Sequence, residues 1–185
     1  MIEYVKGYLN MIRMKMKTGF LLVLLIILFC FSCGDEISQS GNNASYGLYL
    51  LKDTLLITSE AKKIALANLE LQDAPIIKLD DVIEYKWDEQ LISITNDASA
   101  RFKGVEKKIK SIYGLPFVVV AGQQKIYLGN IYPMYSSYMH EDLPSINVAP
   151  FLEMRILRAP MQSIQDKRMD ERIYNVLAAN NKLKK

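Results

Sequence analysis

The sequence predicts an α+β fold in which a single domain combines a mainly antiparallel sheet with about three helices. Apolar stretches of strand length occur in pairs around short polar turns, which is the pattern of β-hairpins. Other segments repeat their apolar residues every three or four positions, as on one face of a helix. Hairpins favour an antiparallel sheet over a parallel one. The domain covers residues 46–185, a length that supports one hydrophobic core.

The strongest strand pattern is LPFVVVAGQQKIYLGNIY at residues 115–132. A continuous apolar, β-branched run is followed by a tight connection through residues 122–124 and by a return strand. We therefore expect this hairpin at the centre of the sheet. Further strands are predicted at residues 46–53, 85–87, 91–95 and 151–160.

Apolar periodicity predicts the helices. The clearest helix covers residues 97–114 and ends at Gly114. Its apolar face consists of Ala98, Phe102, Val105, Ile109 and Ile112. A short helix after the first strand begins at Thr58 or Ser59 and extends to Leu69. The stripe of a closing helix is formed by Met169, Ile173, Val176 and Leu183. Asp81 and Glu84 have the spacing of a capping box, which predicts a short helical turn before the strand at 85–87.

The N-terminal segment has the three parts of a secretory signal. Basic residues Arg13, Lys15 and Lys17 precede twelve apolar residues at 20–31, and the small residue Ser32 follows. The apolar run is shorter than the about 20 residues that span a bilayer. We therefore predict that residues 1–32 are a cleaved signal peptide, with Met14 or Met16 as alternative start positions. An uncleaved signal anchor is the alternative.

The residues around Cys33, FCFSCGDE, resemble the lipobox of bacterial lipoproteins, although the family favours leucine where this chain has Cys30. The resemblance covers about twenty residues and implies that Cys33 is lipidated and becomes the first residue, so that the membrane is a partner through the N-terminal lipid. Gly34, Asp35 and Glu36 resemble sorting signals for the outer membrane. The implied location is the bacterial cell envelope, on the periplasmic or surface face.

Residues 33–45 form a polar tether rich in Gly, Ser and Asn, with a root-mean-square span of roughly 20 Å. Loss of residues 1–32 removes four of the 23 Lys and Arg residues and one of the 20 Asp and Glu residues, which leaves a formally neutral chain. We therefore expect no nucleic-acid partner. Cys30 leaves with the signal and Cys33 is acylated, so disulfides and cysteine catalysis are not expected.

His140 is the single histidine of the chain, and Ser136, Ser137, Glu141 and Asp142 lie near it in sequence. This composition permits a hydrolase that uses His140 with Ser136 or Ser137. The glycines of a nucleophile elbow are missing, and one imidazole with two carboxylates falls short of a zinc site. The acidic residues between 80 and 89 lack the pattern of an EF-hand. We assign no catalytic residue, metal or cofactor.

Residues 130–144 form a tyrosine-rich loop with little aliphatic bulk. Tyrosine and serine in this mixture are typical of recognition surfaces. The predicted contact residues are Tyr132, Tyr135, Ser136, Ser137, Tyr138 and His140. Alternatively, the tyrosine rings pack over the sheet and only their hydroxyls face outward.

The predicted function is that of an envelope binding or interaction module, with a protein, a glycan or a peptidoglycan-like ligand as the partner. The sequence leaves the oligomeric state open. A hydrolase and a structural adaptor of a membrane complex are the alternatives. A basic stripe formed by Lys103, Lys107 and Lys110 is either a binding patch for phosphate or anionic lipid or an ordinary solvated helix face.

Overall fold

A computed structural model describes residues 45–147, 152–161 and 165–184 of the 185-residue chain. The predicted signal peptide at residues 1–32, the predicted lipidation of Cys33 and the predicted tether, except for Ser45, lie outside these described residues.

The described part of the chain has the predicted α+β fold, with three α-helices and nine strands in two sheets. The first sheet has the order β2-β1-β5-β6-β7 and the second has the order β8-β4-β3-β9. The strands are β1 (Tyr46–Leu50), β2 (Ile77–Lys78), β3 (Val82–Lys86), β4 (Leu91–Ile94), β5 (Leu115–Ala121), β6 (Gln124–Tyr132), β7 (Ser145–Asn147), β8 (Glu153–Arg155) and β9 (Leu183–Lys184). The helices are α1 (Thr58–Ala61), α2 (Asn96–Glu106) and α3 (Glu171–Ala179).

The pairing is mainly antiparallel, as predicted, but both sheets are mixed. Five of the seven strand pairs are antiparallel, while β6 pairs with β7 and β3 pairs with β9 in parallel. Both parallel partners are short edge strands, and each follows a long connection that lets the chain return in the same direction.

The β5–β6 hairpin lies inside the first sheet, as the sequence predicts. Gly122 and Gln123 form its two-residue turn and both have positive φ, +55° and +69°, as a type I′ turn requires. Alternate residues of β5 enter two hydrophobic clusters: Phe117 and Val119 face the main core, and Val118 faces a second cluster on the other side. Because both faces are buried, the strand is a continuous apolar run.

All three helices are shorter than predicted. The helix predicted to reach Gly114 ends at Glu106, and Ile112 is exposed. Gly114 therefore does not end a helix. Its φ is +77°, and a Cβ at this position would lie 2.5 Å from Asn130 Nδ2. Glycine is required here because the backbone is left-handed and lies close to β6. Helix α1 ends at Ala61, and a separate 3₁₀ turn, Leu66–Asn68, brings Leu69 into the second cluster.

The predicted capping box and the predicted closing stripe are also corrected. A short helical turn exists at Leu79–Asp81, but Glu84 belongs to β3, and the Asp81 carboxylate instead accepts a 2.8 Å hydrogen bond from the Lys78 amide and pairs with Arg101. Leu183 lies in β9 rather than in a helix, because Lys182 O accepts a hydrogen bond from the Tyr85 amide and joins the C-terminal residues to β3.

Candidate functional site

We call the end of the first sheet at which the described chain begins the proximal end, and the opposite end the distal end. At the proximal end, Ser45 O accepts a 2.9 Å hydrogen bond from the Gly122 amide, so the described chain starts beside the β5–β6 turn. At the distal end, β1 stops at Leu50, β5 starts at Leu115 and β6 stops at Tyr132. Both surface features described below lie at the distal end, where three loops meet.

The loop that follows β6 is held to the sheet by polar contacts. The Tyr132 hydroxyl is buried and accepts a 2.6 Å hydrogen bond from the His140 amide, which closes the loop. Burial raises the pKa of Tyr132. The Ser136 hydroxyl donates to Ile112 O at 2.6 Å and accepts from the Tyr138 amide at 3.1 Å. These contacts fix the backbone between two well-packed strands.

The loop exposes large apolar and aromatic side chains. Tyr135 is 70% exposed and Met134 is 69% exposed, and the Tyr138 ring packs edge-on against the Tyr113 ring with a centroid distance of 5.0 Å. We call this set the tyrosine surface, and its members are Ile112, Tyr113, Met134, Tyr135, Tyr138 and Met139. Exposed apolar and aromatic side chains that are grouped in this way often mark an interaction site.

The predicted contact residues therefore divide into two groups. Tyr135, Ser137 and Tyr138 are exposed, whereas Tyr132 and His140, which are buried, and Ser136, which is half-buried, support the loop. Sequence reasoning did not find Ile112 and Tyr113 because it placed them inside a helix. The signal available was Ser111, which interrupts the run of lysines just before these two apolar residues.

His140 packs between tyrosines. Its ring lies edge-on to Tyr138 at 5.1 Å, and its buried Nε2 has no hydrogen-bond partner among the described residues. Burial lowers the pKa of His140, the nearby Lys62 ammonium lowers it further, and Asp142 opposes the shift. Because the Ser136 hydroxyl is bonded to Ile112 O, the described part of the chain contains no hydrogen bond from His140 to Ser136 of the kind that a hydrolase would use.

An ion pair holds the next stretch of this loop. Lys62 Nζ lies 2.6 Å from Asp142 Oδ2, and each side chain is about one-third exposed. Although burial raises the pKa of Asp142, the hydrogen bond and charge of Lys62 outweigh it, and the pKa of Asp142 is lowered. The pair joins the C-terminal end of α1 to the residues after the tyrosine surface.

The second feature is a cavity of about 460 Å³ beside the end of β1. This volume falls in the range of about 300–1,000 Å³ that is typical of small-molecule sites. Its apolar walls are Leu50, Leu51, Leu55, Leu56, Ile57, Leu115 and Pro116. Three lysines, Lys107, Lys108 and Lys110, line the same cavity, with Ser111 and Asp53.

The lysines at the cavity revise the predicted basic stripe. Helix α2 ends before Lys107, so a constant helical spacing does not relate the lysines to one another. Lys107 and Lys110 line the cavity, whereas Lys103 lies outside the cavity lining. Lys108, which was not part of the predicted stripe, joins them. All three lysines of the cavity are exposed, and none makes an ion pair with a described residue.

A buried amide connects both features. Asn130 is completely buried in β6. Its Oδ1 accepts a 2.6 Å hydrogen bond from Thr58 Oγ1, and its Nδ2 donates to Tyr113 O at 2.9 Å. One side chain thus fixes α1 and the segment 111–114, which borders the tyrosine surface and the cavity. The sequence signal for this role was a polar residue, Asn130, in the apolar part of the strand between Ile126 and Tyr132.

The described residues contain no cluster of three or more His, Cys, Asp or Glu side chains suited to a metal ion. In the same residues no helix has the length and apolar character to cross a membrane. Fold and surface together define an α+β domain that carries an exposed aromatic surface and a lysine-lined cavity at one end. No protein-family model, curated protein or solved structure matches the chain.

Proposed function

We propose that this protein is a lipid-anchored binding module of the bacterial cell envelope that holds a protein partner through the tyrosine surface. The observation that carries the proposal is the exposure of Tyr135, Tyr138 and Met134 on a loop whose backbone is fixed by hydrogen bonds. Interface cores are enriched in Tyr and Met. A fixed loop also loses little conformational entropy when it binds.

A protein partner suits this surface better than a glycan because three of its six side chains, Ile112, Met134 and Met139, offer no side-chain hydrogen-bond donor to sugar hydroxyls. The hydrolase alternative lacks a supporting observation, since Ser136 and His140 are bonded to other groups or packed among rings.

The described residues begin at the end of the first sheet that is opposite to the tyrosine surface. Ser45 enters at the proximal end of the first sheet, and the tyrosine surface lies at the distal end. Residues 34–36 favour the outer membrane as the location of the anchor.

Intact mass tests the anchor. The wild-type chain and a Cys33→Ala variant are expressed in a bacterial host that processes lipoproteins. We expect the wild-type mass to equal a chain that begins at Cys33 plus acyl groups, and we expect the variant to lack both the cleavage and the added mass. A wild-type chain that keeps residues 1–32 would contradict the proposal.

Site-specific photocrosslinking in cells tests the tyrosine surface. A photoreactive residue at position 135 should join the chain to one envelope protein, and Tyr138→Ala should weaken that crosslink. The same residue at position 83, where Ile83 is 60% exposed on β3, is the matched control. Equal crosslinking from both positions, or a crosslinked product that is a carbohydrate, would contradict a specific protein partner.

A further inference from the structure

We propose that the cavity beside the end of β1 binds a single-chain anionic amphiphile, with the acyl chain against the apolar walls and a carboxylate or phosphate head group at Lys107, Lys108 and Lys110. This site is separate from the tyrosine surface and does not depend on the function proposed for that surface.

The apolar walls fit an acyl chain. Leu50 and Leu51 of this lining are buried, while Leu55, in the loop after β1, is 84% exposed. Covering such an exposed leucine with another apolar group removes apolar surface from water, which is favourable in free energy. Seven of the residues that line the cavity are apolar, which suits contact with the methylene groups of an acyl chain.

The charges fit an anionic head group. Three exposed lysines line the cavity, against one carboxylate, that of Asp53. Asp53 Oδ1 already accepts a 2.9 Å hydrogen bond from the Leu55 amide. The lysines have no ion pair with a described residue, so they are available to a carboxylate or a phosphate. Lysine stems can lie along apolar walls while their ammonium groups reach the head group.

The cavity is formed before any ligand binds. Gly114 brings residues 111–116 against β6, and Asn130 Nδ2 holds the Tyr113 carbonyl. The remaining lining residues begin at Leu50, the last residue of β1, which pairs with Phe117 of β5. A preformed site binds with a smaller entropic loss than one that must order itself around its ligand.

Photoaffinity labelling tests the proposal. The full chain is placed in phosphatidylcholine nanodiscs with a palmitate that carries a diazirine on its acyl chain, and labelled residues are identified by mass spectrometry. We expect labelling to concentrate in residues 50–57 and 107–116. Unlabelled palmitate and lysophosphatidate should both reduce it, and their order distinguishes a carboxylate from a phosphate as the preferred head group. Hexadecanol, which has the chain without the charge, should compete about tenfold less well.

Matched variants distinguish binding in the cavity from nonspecific attraction to exposed lysines or exposed apolar side chains. Lys108→Gln with Lys110→Gln should lower labelling by about tenfold, whereas Lys63→Gln with Lys103→Gln, two exposed lysines outside the cavity lining, should leave it unchanged. Leu55→Asp should lower labelling and Ile83→Asp should not. Labelling spread evenly over the exposed residues, equal competition by hexadecanol, or equal losses in both lysine pairs would overturn the proposal.

Discussion

Gly114 and Gly122 both hold a left-handed backbone conformation, with φ of +77° and +55°, but their surroundings differ. A Cβ at Gly114 would lie 2.5 Å from Asn130 Nδ2 and from Ile131 O, whereas a Cβ at Gly122 would have nothing within 4 Å. Gly122 therefore supplies only backbone freedom to a turn. Gly114 supplies that freedom and also the space that lets the 111–114 segment lie against β6.

We predict that Gly114→Ala destabilises the domain much more than Gly122→Ala does. Placing alanine in a left-handed conformation costs about 1 kcal/mol, which is the whole effect expected at Gly122. At Gly114 the clash with a buried strand adds to this, and we expect the free energy of unfolding to fall by about 3 kcal/mol or more. Urea denaturation of both variants provides the measurement. Equal losses would show that Asn130 and Ile131 move aside at little cost.

At the scale of elements, local pattern located all three helices and six of the nine strands of the described residues, but it missed the short edge strands β2, β7 and β9 and placed the helix ends too far along the chain. The β5–β6 hairpin was predicted from a continuous apolar, β-branched run and the tight connection at residues 122–124, and the structure shows why the run is continuous, since both faces of β5 are buried. The helix after Thr95 was predicted too long because apolar spacing continues to Ile112, whereas the helix ends at Glu106 and the chain then turns toward β5. Periodicity reports which side chains are apolar and carries no information on where tertiary contacts redirect the chain.

The candidate site shows the same limit. Composition alone identified Tyr135 and Tyr138, since a tyrosine-rich stretch is visible in a single segment. The cavity could not be predicted because its walls come from parts of the chain that are distant in sequence, namely residues 50–57, Gln72 and residues between 107 and 116. Only the antiparallel pairing of β1 with β5 brings these segments together.

Helix α3 offers an element-scale prediction at its first turn. The Asp170 side chain accepts a 3.0 Å hydrogen bond from the Arg172 amide and pairs with its guanidinium at 2.7 Å. We expect Asp170→Ala to lower the free energy of unfolding by about 1 kcal/mol, the usual loss for a helix cap. Asp170→Asn keeps a capping oxygen and should lose less than Asp170→Ala. Thermal unfolding of both variants checks this order, and a larger loss for Asp170→Asn would assign the effect to charge rather than to capping.

At the scale of the whole molecule, aromatic contacts join the two sheets and α3 into one core. Tyr46 of β1 meets Tyr85 of β3 with ring centroids 6.2 Å apart, and Trp87 then links Tyr85 to Tyr174 of α3 at 5.9 and 5.3 Å. Because these rings span elements from both halves of the domain, we expect the described residues to unfold cooperatively.

A cooperative domain converts the pKa shifts of single groups into a pH dependence of its overall stability. Burial and the positive charge of Lys62 lower the pKa of His140 below its ordinary value of 6.5. Below about pH 6.5 the unfolded chain therefore binds a proton more readily than the folded chain. The pKa values of Asp142, Asp166 and Asp170 also lie below their ordinary 3.8, because lysine and arginine partners outweigh the opposing effect of burial.

We therefore predict two pH windows in the free energy of unfolding. In the first, stability falls as the pH decreases from about 7 to 5, and since the chain has one histidine, this loss belongs to His140. In the second, below about pH 4, stability falls further as the three aspartates are protonated and lose their ion pairs. His140→Gln should abolish the first decline and keep the second, which urea denaturation at a series of pH values would show. A decline between pH 7 and 5 that survives unchanged in His140→Gln would contradict this assignment, because the decline would then belong to groups other than His140.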